Sequence, residues 1–110
     1  MINVTFTEEG KKLSLRLEGH AGYAVIGEDT VCASASILAY TLAQYIKDAY
    51  ASGKLDEVTL ELASGNADIS CDTTDELTIV FETICTGYKL LKFNYPQYVE
   101  LIINGEAYMP

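Results

Sequence analysis

The chain has 110 residues, 49% of them hydrophobic, with 16 acidic side chains against 7 basic ones and a formal net charge of −9. That length and apolar content suit one folded domain over residues 1–110, with no proline-rich linker, repeat or low-complexity tract to divide it. The acidic balance excludes a general nucleic-acid binder, because a phosphate backbone must be met by a surface rich in lysine and arginine.

In chain order, Ile2, Val4 and Phe6 alternate with polar residues, and Glu8-Glu9-Gly10-Lys11 turns the chain into a second alternating run, Leu13 to Glu18. The pattern predicts an opening hairpin. His20, the only histidine, ends this strand, and Gly19, Gly22 and Gly27 give the following connection the freedom to fold back. From Val31, the residues Ala35, Leu38, Leu42, Ile46 and Ala49 recur at helical spacing, with Asp29 or Thr30 as N-cap and an end near Gly53. This segment holds the longest uncharged run, Thr30 to Ile46, which is shorter than the roughly 20 apolar residues that cross a bilayer. It reads as a buried central helix. Leu55 to Ala63 and Ala67 to Asp72 read as paired strands around a Ser64-Gly65-Asn66 turn. Thr73-Thr74-Asp75-Glu76 then forms a capping box for a helix through Leu77, Val80, Phe81, Ile84, Tyr88 and Leu91. Pro96 lies beyond it, and Val99 to Ile103 adds a last strand. The expected fold class is α+β: a two-layer sandwich of a largely antiparallel sheet with two main helices on one face.

The chemistry concentrates between residues 19 and 36. Cys32 falls in the first turn of the central helix, where free backbone N–H groups and the positive end of the helix dipole favour an anionic sulfur. A thiolate there, with His20 folded back beside it, makes a cysteine nucleophile and its base. Ser36 lies one turn later on the same face, able to orient the imidazole or meet a substrate carbonyl. Asp29 has two readings that act on Cys32 in opposite directions: an N-cap that weakens the dipole's field, or a partner that holds one tautomer of His20 and favours its charged form. Backbone N–H groups at the start of the helix are the expected oxyanion donors.

Cys71 and Cys85 read as buried and inert, the first on the core side of a strand and the second on the apolar side of the later helix. Three dispersed cysteines and one histidine do not make a closed zinc site, so neither metal nor other cofactor is expected. An odd cysteine count without a signal peptide suits a reducing cytoplasm, with free thiols.

Gly19-His20-Ala21, Gly27-Glu28-Asp29-Thr30-Val31-Cys32-Ala33 and Ser36 together resemble the signature of the ribosomal-processing cysteine proteases, the Prp family. The resemblance extends to length and to the order of strands and helices. It implies an endopeptidase that removes a short N-terminal extension from ribosomal protein L twenty-seven, with His20 and Cys32 as the catalytic pair and Asp29 and Ser36 in support. It also implies a homodimer, a phage scaffold protein as an alternative substrate, and a mobile loop over the site, here Gly22 to Ile26 with Gly27 behind it. That loop is apolar in this chain, and Tyr23 within it is the candidate for substrate contact. Glu18, Glu28 and Asp29 flank the site and would attract a cationic peptide. Tyr40, Tyr45 and Tyr50 on the central helix read first as amphipathic packing.

Two readings from other classes stand beside the protease. A non-catalytic, ribosome-associated peptide-binding module would use the same cleft for recognition alone. A redox-sensing thiol protein would need Cys32 without His20.

Overall fold

Period-two alternation puts Ile2, Val4 and Phe6 on one face of strand β1 (Ile2–Glu9) and Leu13, Leu15 and Leu17 on the same face of β2 (Lys12–Glu18). The two pair antiparallel, with Val4 opposite Leu17 and Phe6 opposite Leu15. This computed structural model describes residues 1–25 and 28–110. Strand β3 (Val58–Ala63) pairs with β4 (Asn66–Asp72), β4 pairs with β2, and β5 (Val99–Ile103) runs parallel to β1 and antiparallel to the short β6 (Glu106–Ala107). The resulting six-stranded sheet has the order β3-β4-β2-β1-β5-β6.

Helices α1 (Thr30–Ala51) and α2 (Asp75–Asn94) cover the apolar face of this sheet, as the sequence pattern predicts. Along α1 the buried stripe is rich in alanine, Ala35, Ala39 and Ala43, interleaved with Val31, Leu42 and Ile46, so its backbone approaches the neighbouring elements closely. Tyr88 of α2 is wholly buried, and its hydroxyl donates to the carbonyl of Ala35 at 2.7 Å. That bond ties α2 to the second turn of α1. Burial pushes the Tyr88 phenol well above its ordinary pKa, so it remains a donor. The Phe6 ring meets Tyr88 and Phe81 edge-on, at 5.8 and 6.4 Å between centroids. No helix among the described residues is long and apolar enough to cross a membrane.

The boundaries differ from the sequence reading in three places, each for a local reason. Strand β3 starts at Val58 and not at Leu55, because Leu55 is drawn into the core while the Asp72 carboxylate accepts from the N–H groups of Asp56 and Glu57 at 2.8 and 3.2 Å. Helix α2 is capped by Thr74, whose Oγ1 accepts from Leu77 N at 3.1 Å. Thr73, one residue earlier, instead donates its N–H to the Lys11 carbonyl and leaves its hydroxyl buried without a partner. The sixth strand was not expected. It follows Asn104-Gly105, both at positive φ (50° and 83°), the pattern of a tight hairpin turn.

Replacing Tyr88 by Phe removes the cross-helix bond and keeps the ring, so urea unfolding should show a loss of about 1 kcal/mol with an unchanged slope.

Candidate active site

The site is assembled where β2 ends, α1 begins and the β3–β4 turn comes up beside them. Ile2, Gly19, His20, Cys32, Ser36, Tyr40, Ser64 and Gly65 are among the residues lining one cleft of about 360 Å³ there. His20, Cys32, Asp29 and Ser36 all line this one cleft.

Asp29 organises it. The residue is only 4% exposed, and its two carboxylate oxygens accept from separate parts of the backbone. Oδ1 takes the N–H groups of Val31 and Cys32 at 2.9 and 3.0 Å, while Oδ2 takes those of Tyr23 and Ala24 at 2.9 and 3.1 Å. Of the two roles open at the sequence level, the N-cap is the one observed, and the carboxylate does not hydrogen-bond the imidazole. It also clasps the loop, which sequence reasoning did not foresee. Burial alone would raise the pKa of this carboxyl; the four N–H donors outweigh it and hold the group below its ordinary value.

This arrangement corrects the expected oxyanion donors. The N–H groups of Val31 and Cys32 are committed to the Asp29 side chain, and that of Ala33 to the Asp29 carbonyl at 3.0 Å. The sulfur of Cys32 instead accepts from the Ala21 N–H at 3.2 Å. Cys32 is half-buried on α1, and the donor that reaches it comes from the residue directly after His20.

The imidazole is placed from three directions. Gly19 donates its N–H to the Gly65 carbonyl at 2.8 Å, and the Met1 amino group donates to the His20 carbonyl at 2.7 Å. Gly65, at φ +71° in the turn between β3 and β4, lies flat under the ring: a Cβ there would stand 2.6 Å from His20 Nε2 and 2.9 Å from Cε1. Only glycine leaves room for the ring. The sequence reads Ser64-Gly65-Asn66 as a turn and gives no sign that it supports a histidine 45 residues earlier.

Tyr23 is half exposed, and its ring packs edge-on against Tyr95 and Tyr98 at 5.5 and 5.2 Å, residues of the connection between α2 and β5. Tyr40 lines the cleft, whereas Tyr45 and Tyr50 are exposed elsewhere on α1. Gly22 stands at φ +72° beside Tyr23, and Gly27, with Ile26, lies outside the described residues. Of the acidic residues thought to face a cationic peptide, Asp29 is spent internally, Glu18 pairs with Arg16 at 2.8 Å and Glu28 is exposed. Cys71 and Cys85 are free and buried as expected, and burial, reinforced by Asp72, pushes the Cys71 thiol up to about 11.

The sequence model of the cysteine protease Prp family matches residues 1–100. The chain belongs to this family. Among curated proteins none matches. The Prp ribosomal processing protease of Staphylococcus aureus, crystallised with a covalently linked product peptide, superposes with a TM-score of 0.73 at 22% identity, covering 94% of this chain and 99% of that one. A Streptococcus mutans protein gives a TM-score of 0.65 at 27% identity over 94% and 93% of the two chains. The S. aureus protease in complex with a substrate peptide gives 0.60 at 18% identity over 93% and 96%. The Prp family membership makes this chain a cysteine protease, and the S. aureus structures share its α+β fold.

Asp29→Asn should destabilise the protein by about 1–3 kcal/mol at pH 7, because an amide nitrogen then faces backbone donors. The carboxyl pKa is lower in the folded state, so its contribution is complete above the unfolded value near about 4 and is lost as pH falls through the folded one. The gap between wild type and variant in urea midpoints, measured from pH 7 down to pH 2.5, should therefore narrow in acid.

Proposed function

We propose that this protease cleaves a short N-terminal extension from ribosomal protein L twenty-seven, with Cys32 as nucleophile and His20 as its base. The observation that carries this reading is the shared cleft: the imidazole at the end of β2 and the sulfur at the start of α1 line one cavity, and Ala21 adds an N–H to the sulfur. Cys32 Sγ gives its proton to His20 and attacks the scissile carbonyl; the tetrahedral oxygen is met by the Ala21 N–H. His20 then protonates the leaving amine as the C–N bond breaks, and water hydrolyses the thioester to regenerate the thiol. Ser36 borders the same cleft and supports the imidazole or the substrate carbonyl, and Asp29 holds the loop and the helix start in register.

The kinship with Prp supports the ribosomal substrate; a phage scaffold protein as a second substrate and a cytoplasmic setting are part of the same proposal. A homodimer fits the exposed apolar side chains of α2, Ile79, Leu90 and Phe93, which nothing among the described residues covers. Tyr23, docked on Tyr95 and Tyr98, holds the loop where it contacts the substrate.

Mass spectrometry of an extended L twenty-seven peptide incubated with the protein should show a single cut. Cys32→Ala and His20→Ala should each leave the peptide intact while still binding it. Random cutting, or cutting that survives Cys32→Ala, would sink this assignment. Gly65→Ala should lower kcat/KM roughly 10- to 100-fold by displacing the imidazole, with kcat carrying the loss, while the far-ultraviolet spectrum stays that of wild type.

A further inference from the structure

The sheet has two edges, and they are unequal. At one, β6 offers two residues; at the other, β3 offers six, Val58–Ala63, with β4 alone beside it. One row of β3 backbone N–H and C=O groups thus has no strand partner among the described residues, the usual template for an added strand. Directly opposed residues of an antiparallel pair share a face. Leu60 lies opposite Ile69 and Leu62 opposite Ala67, both buried, so the two leucines face the helix layer. Helix α1 does not cover them fully: Leu60 is half-buried and Leu62 is 45% exposed. On α1, Tyr40, 44% exposed and two turns from Cys32, lines the cleft together with Ser64 and Gly65. The strand ends at Ala63, and the next two residues, Ser64 and Gly65, are already part of the site.

The opposite face of β3 carries one charge, Glu61. It lies directly opposite Asp68, which has Arg16 on its other side across β2, so a cation on an added strand would balance Glu61 on the outer side as Arg16 balances Asp68 on the inner one. The edge therefore displays two alternating requirements, apolar toward the helices and basic toward the open face.

We propose that the free edge of β3 is the substrate-binding edge, and that an extended peptide adds to it as a seventh strand running into the Cys32–His20 cleft. Every second side chain of the peptide packs on Leu60, Leu62 and Tyr40, and an intervening lysine or arginine meets Glu61. Six residues of strand span about 20 Å, enough to hold five or six peptide residues through main-chain bonds whose energy is indifferent to sequence. The side chains then supply selectivity. This rests on the protease reading of the cleft.

The test uses full-length Cys32→Ala with the L twenty-seven extension peptide, followed by amide hydrogen exchange. Alternate amides of β3 should slow at least tenfold on saturation, while those of β6 stay as they are. Peptides N-methylated at successive positions should lose binding at least tenfold at every second residue only, and Leu62→Ser in the otherwise wild-type enzyme should raise KM more than it lowers kcat. Peptide bound without protection of β3, or no binding at all, overturns the edge. Cleavage by wild type with β3 unprotected would overturn the edge and keep the protease. Protection of β3 without cleavage would do the reverse.

Discussion

The site depends on one buried carboxylate. Asp29 lies between two pieces of chain and bonds to both, the loop at Tyr23 and Ala24 and the first turn of α1 at Val31 and Cys32. A buried, ionised carboxylate is tolerated only where donors replace its lost water, and four backbone N–H groups do so here. The same four bonds set the position of Cys32. They fix the start of the helix that carries Cys32, and they draw the loop across so that Ala21 arrives at the sulfur.

A cysteine at a helix N-terminus is commonly explained by the helix dipole, and here that account needs amending. The anion nearest the free end of α1 is the Asp29 carboxylate, which takes the donors that would otherwise turn toward sulfur. The donor that reaches the sulfur comes instead from Ala21, next to His20 at the same strand end, and in the proposed mechanism this residue pair stabilises the thiolate. With the proposed base and this donor in adjacent residues, whatever moves one moves the other. The supports of that strand end therefore matter: the flat contact of Gly65 with the ring and the Gly19–Gly65 backbone bond.

Much of this was legible in the sequence, because it was written in short-range patterns. Alternation in residues 2–18 gave the hairpin, helical spacing after Val31 gave α1, and His20, Asp29, Cys32 and Ser36, close in sequence, line one cleft. What was hidden involved residues far apart or the competition of two local rules. Asp29 could cap the helix or orient the histidine, and only packing decides that its second oxygen reaches the Tyr23 and Ala24 amides. Thr73 and Thr74 are equally good caps by composition, and the Lys11 carbonyl claims the first. The β6 hairpin was signalled by Asn104-Gly105, but a two-residue strand leaves too little alternation to read. Gly65 looked like any turn glycine, since its value lies in the ring that sits on it.

A chain this short has little surface with which to hold a peptide, and its architecture resolves that by leaving the sheet incomplete. A covered or longer-paired β3 would bury Leu62 and add stability, yet it would close the route to the cleft. The uncovered edge carries an aggregation hazard, which the carboxylates of Asp56, Glu57 and Glu61 on and before the strand oppose by like-charge repulsion between copies. Those charges repel a second acidic chain and attract a basic one. One feature of the sequence, its negative balance, thus keeps identical molecules apart at the edge and selects a cationic strand to occupy it.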